Sequence, residues 1–85
     1  MIATKNKINS RDGLISLLKQ MALDLRENPD EWENRNLEDF LEAMASWIED
    51  MDGYYENLGI SKEVGLEDFK WRILADVLLA ARVYE

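Results

Sequence analysis

A chain of 85 residues, 47% of them hydrophobic, holds enough apolar material for one core and little for a second. It contains neither cysteine nor histidine, which excludes disulfides, thiol nucleophiles and thiolate metal sites, and removes the commonest general base and transition-metal ligand. Its net charge of −8 argues against nucleic-acid binding, which needs cations to displace phosphate counterions.

The expectation is therefore a single domain over residues 1–85. The first ten residues include Lys5 and Lys7 but no hydrophobic stretch of signal-peptide length. The longest apolar run, residues 77–81, falls far short of the ~20 needed to span a membrane. A cytoplasmic protein without membrane association is the reading. The charge is also uneven: residues 24–56 contain twelve acids against two bases, Arg26 and Arg35. Such a segment serves either as a solubility device or to steer a basic protein partner by long-range attraction.

Residues 1–9 lack hydrophobic periodicity and read as a flexible arm. Asn9 or Ser10 can cap a first helix, and Asp12 places negative charge near its positive end. Leu14, Leu17, Leu18, Met21, Ala22 and Leu25 follow the spacing of one helical face. Asn28-Pro29 ends that helix, because the residue before proline is driven out of the α region.

Residues 30–35 form a connector containing Trp32. Asn36 reads as the cap of a second helix, with Glu38 and Asp39 in its first turn and an end near Met51. Phe40, Leu41, Met44, Trp47, Ile48 and Met51 make its inner face, while Glu38, Glu42, Ser46 and Glu49 mark an outward stripe. Asp52-Gly53 predicts a turn, and a short helical piece follows over residues 54–58, closed by Gly59 in the left-handed conformation.

Residues 61–65 read as a connector. A last helix is expected from about residue 66 almost to the end, with Leu66, Phe69, Ile73, Val77, Ala80 and Tyr84 on one stripe. Trp71, Leu74, Leu78 and Ala81 widen that stripe, which makes this helix either the central member of a bundle or a dimer seam. No strand pattern occurs. The fold class predicted is all-α: a small antiparallel bundle of three main helices plus one short one.

Chemistry is sparse. Asp50-Met51-Asp52-Gly53 resembles a calcium loop, but aligning Gly53 with the invariant glycine puts Ile48 and Gly59 where acidic ligands are required. The remaining acids lie mostly on outward positions or in connectors. Asp76 sits in an apolar run and reads as a partner of Arg72 one turn earlier, or as a buried functional carboxylate. The expectation is no catalytic residue, no metal and no cofactor. Trp32 and the pair Tyr54-Tyr55 lie among acids, where rings serve either to close a bundle end or as interface anchors.

Trp32-Glu33-Asn34, Leu37-Glu38-Asp39-Phe40-Leu41-Glu42-Ala43, Trp47, Trp71 and the closing Ala81-Arg82-Val83-Tyr84-Glu85 resemble a small bacterial domain family without an assigned activity. The resemblance covers about the last two-thirds of the chain and implies a helical fold, with no binding residues to carry over. The functional expectation is a non-enzymatic module for a basic protein, an immunity-type inhibitor being one concrete form. Trp32, Glu38, Glu42, Glu49, Asp50, Asp52, Tyr54 and Tyr55 are its candidate contact residues, and self-association into a homodimer through the last helix is the alternative.

Overall fold

The computed structural model describes residues 8–84, so most of the arm expected over residues 1–9 lies outside the described residues. Four α-helices follow in order: α1 (Arg11–Glu27), α2 (Leu37–Leu58), α3 (Ser61–Val64) and α4 (Trp71–Ala81). Two 3-10 turns, Pro29–Glu31 and Leu66–Asp68, stand between them. No strand occurs among the described residues, and the protein is all-α. The chain divides into two compact units, one ending at Ser46 and the other beginning at Trp47, with the division inside α2.

In the first unit, Ser10 adopts an extended conformation and its hydroxyl accepts the Gly13 N–H at 3.0 Å, the cap that α1 requires. Asn28 ends α1, and its own N–H donates to the Asp24 carbonyl at 2.7 Å. Pro29 then opens a 3-10 turn, where its fixed φ and missing N–H cost nothing. The Asn36 side chain accepts the Asp39 N–H at 2.8 Å while its amide donates to the Asp39 carboxylate at 2.8 Å. This reciprocal pair starts α2 where the sequence placed the cap. Leu18, Met21 and Leu25 of α1, Trp32, and Leu37 and Phe40 of α2 line an apolar hollow of about 280 Å³.

In the second unit, α2 does not stop at Met51. It runs on to Leu58, and Gly53 is an ordinary helical residue rather than part of a turn. Glycine in a helix interior costs up to ~1 kcal/mol against alanine. That is offset by the rings it would otherwise separate: Tyr54 and Tyr55 both reach back to Trp47 two turns earlier. Gly59, at φ +72°, closes the helix as expected.

The segment after α2 also differs from expectation. Residues 61–64 are a helical turn ended by Gly65 at φ +67°. The last helix is not continuous from residue 66, because Phe69 leaves the helical region at ψ 133° and α4 starts only at Trp71. The break has a packing reason. Residues two apart on a helix do not face each other, whereas here the Phe69 and Trp71 rings meet edge to face at 4.4 Å. No residue of α4 is buried, and Ile73 and Val77 are 61% and 53% exposed.

Candidate functional site

The two buried residues among those described are Met51 in the second unit and Asp24 in the first. Asp24 is the unexpected one: a carboxylate only 7% exposed, on the apolar side of α1. Leu17, Met21 and Asp24 follow the i, i+4, i+7 spacing of one face, so the sequence put an acid where a hydrophobic residue belongs.

Burying a carboxylate requires hydrogen-bond donors, and two are supplied from downstream. The Trp32 indole N–H donates to Oδ2 at 2.8 Å, and the Asn28 side-chain amide donates to Oδ1 at 2.9 Å. The indole bond does most to hold the Asp24 carboxyl below the ordinary aspartate value and the Asn28 bond adds to it, while burial acts in the opposite direction.

These bonds tie the connector to α1. The Trp32 N–H donates to the Pro29 carbonyl at 3.0 Å, completing the 3-10 turn that turns the chain back. Arg35 holds the far side: its Nε donates to the Trp32 carbonyl at 3.1 Å, and its guanidinium lies 3.5 Å from the Asp30 carboxylate. The Trp32 ring is half-buried, tilted 31° to Phe40 with centroids 6.2 Å apart. Trp32 and Phe40 form the apolar part of an open cleft of about 700 Å³, whose polar lining includes Asp24, Glu31 and Glu33. Glu31 and Glu33 are exposed.

Of the candidate contact residues, Trp32, Glu38 and Glu42 belong to the first unit. Glu38 and Glu42 are exposed and one turn apart, but helical register sets them on the side of α2 roughly opposite Phe40, so they do not join the cleft. Glu49, Asp50, Asp52, Tyr54 and Tyr55 belong to the second unit, and the three acids are exposed. Asp52 lines a separate hollow of about 360 Å³ with Glu56, Lys62 and Asp68. Tyr54 and Tyr55 are both half-buried, and each ring packs against Trp47 and against the other.

Asp76 takes the bland role foreseen for it. Its carboxylate pairs with Arg72 at 3.3 Å, with both side chains exposed. Among the described residues no group of three or more acids is placed to hold a metal ion, and no helix is long and apolar enough to cross a membrane.

Sequence reasoning missed Asp24 and Asn28. The signal was present in an acid inside an apolar stripe, four residues before an asparagine and eight before a tryptophan.

The fold and this cleft define a small all-helical protein whose best-formed polar feature is a carboxylate–indole link. Residues 10–85 match the Family of unknown function (DUF7660), and the chain belongs to that family. No curated protein and no solved structure matches it.

Proposed function

We propose that this protein is a non-enzymatic cytoplasmic module that binds a basic protein partner, an immunity-type inhibitor being one concrete form. The observation that carries the reading is the cleft of the first unit. A half-buried tryptophan is locked by Asp24 at 2.8 Å and bordered by Glu31 and Glu33. Tryptophan is enriched among residues that dominate binding energy, and an anchor already fixed in place loses little entropy on docking. The carboxylates supply attraction for a cationic surface and raise its encounter rate.

The test is capture of a basic partner by the full chain at low and moderate salt. Binding is expected to weaken with salt and to drop when Glu31→Lys and Glu33→Lys are combined. It is expected to fall less with Glu38→Lys and Glu42→Lys, which lie away from the cleft. Partners indifferent to salt and to all four reversals would overturn the reading.

A second reading is favoured by the apolar surface of α4, where Ile73 and Val77 are one turn apart and more than half exposed. Such a surface suits self-association. Sedimentation over a concentration series decides it, and a strict monomer would reject it.

A further inference from the structure

Within the second unit, residues 47–58 of α2 carry four acids, Glu49, Asp50, Asp52 and Glu56, and no base. Trp47, Asp50 and Tyr54 stand at i, i+3 and i+7, which places them on one face of the helix. Trp47 remains 46% exposed although it touches both tyrosines, with centroids 5.6 Å from Tyr54 and 6.0 Å from Tyr55. The two tyrosine rings are themselves 5.2 Å apart. Interplanar angles of 60°, 88° and 76° make each ring a prop for the next. The indole face is thus held in place before any ligand arrives.

Two attractions for a cation coincide here. An aromatic face draws positive charge through its quadrupole. Asp50 supplies a carboxylate on the same helical face. A guanidinium uses both together, being planar enough to stack on a ring and forked enough to pair with a carboxylate. An ammonium is more strongly hydrated and cannot stack.

We infer that this face docks an arginine side chain of a basic protein, with the guanidinium on the Trp47 ring and paired to Asp50. The inference deepens the proposed function and rests on it for the class of partner, but it names a second contact point and a specific side chain.

The experiment titrates the isotope-labelled full chain with blocked arginine and lysine tripeptides at low salt. The Trp47 indole N–H and Asp50 amide signals are expected to move with the arginine peptide, which should bind roughly two- to fivefold more tightly than its lysine counterpart. Trp47→Leu is expected to abolish the preference for arginine. Asp50→Asn, an exposed change that leaves the ring cluster in place, should weaken the arginine peptide by a similar factor and covers the case in which the tryptophan variant does not fold. Equal affinities for the two peptides, or no effect of Asp50→Asn, would overturn the inference. Signal changes confined to Trp32, Glu31 and Glu33 would overturn it while leaving the basic-partner reading standing. A chain that responds to neither peptide anywhere would overturn both.

Discussion

The indole N–H of Trp32 donates to the carboxylate of Asp24 at 2.8 Å across eight residues of chain, joining the end of α1 to the connector before α2. Its importance lies in the asymmetry of buried hydrogen bonds: making one contributes modestly, but leaving its charged acceptor or its donor unmatched is expensive. Trp32→Phe keeps most of the ring and removes the donor. Asp24→Leu removes the acceptor and strands both the indole and the Asn28 amide. Both should lower the thermal midpoint, Asp24→Leu the more. In the double variant the two losses should sum to less than their separate effects, since each single change breaks the same bond. Additive losses in circular-dichroism melts would show that the two side chains are not coupled.

The same carboxylate sets an acid limit. Asp24 has a folded-state pKa below the ordinary 3.8, chiefly through Trp32 and then Asn28. A group depressed on folding contributes stability that is fully present above its unfolded value and is lost as pH falls through the folded one. The stability difference between the native chain and Asp24→Asn should therefore be constant from neutral pH to about 5 and shrink below 3.8. Urea midpoints measured down to pH 2 check this. A difference that is unchanged across the acid range would mean that the charged form is not preferentially held.

Capping at Asn36 is a separate determinant. Its side chain satisfies the Asp39 N–H and also pairs with the Asp39 carboxylate, both at 2.8 Å. Asn36→Ala should destabilise the protein by about 0.5–2 kcal/mol, and Asn36→Ser, which keeps a capping oxygen, by much less. Denaturant unfolding of the two variants side by side distinguishes loss of the cap from a general effect of changing the residue.

Legibility in the sequence followed the range of the forces involved. Ser10, Asn28-Pro29, Asn36 and Gly59 were readable because caps and breakers act through the backbone of their immediate neighbours. The continuation of α2 through Gly53 was not, because it depends on rings seven and eight residues from Trp47 outweighing a local turn signal. The break before α4 was hidden for the same reason: periodicity favours continuing the helix, while the Phe69–Trp71 contact requires a bend. Trp32 was legible as a residue of interest, but whether it was core or anchor depended on Asp24, and an acid in a hydrophobic stripe has no meaning until its donors are located.

The Arg72–Asp76 pair illustrates a contact of little consequence. Both groups are exposed, and the base precedes the acid along the helix, the less favourable order for the dipole. Asp76→Asn should change stability by less than about 0.5 kcal/mol, and moderate salt should erase even that. A larger loss in denaturant unfolding would show that Asp76 has a role beyond this pair.

Two glycines offer a contrast that separates helix propensity from backbone handedness. A Cβ added at Gly53 or at Gly65 meets no atom within 4 Å, so crowding is equal at both. Gly53 lies inside α2 with ordinary helical geometry, and Gly53→Ala should stabilise by about 0.5–1 kcal/mol through the reduced entropy of the unfolded chain. Gly65 sits at φ +67°, where an L side chain presses on its own carbonyl. Gly65→Ala should therefore destabilise by roughly 1–2 kcal/mol. Opposite signs in paired thermal melts are the expected result. A loss at Gly53 would mean that the Asp52-Gly53 turn forms after all and that α2 ends there.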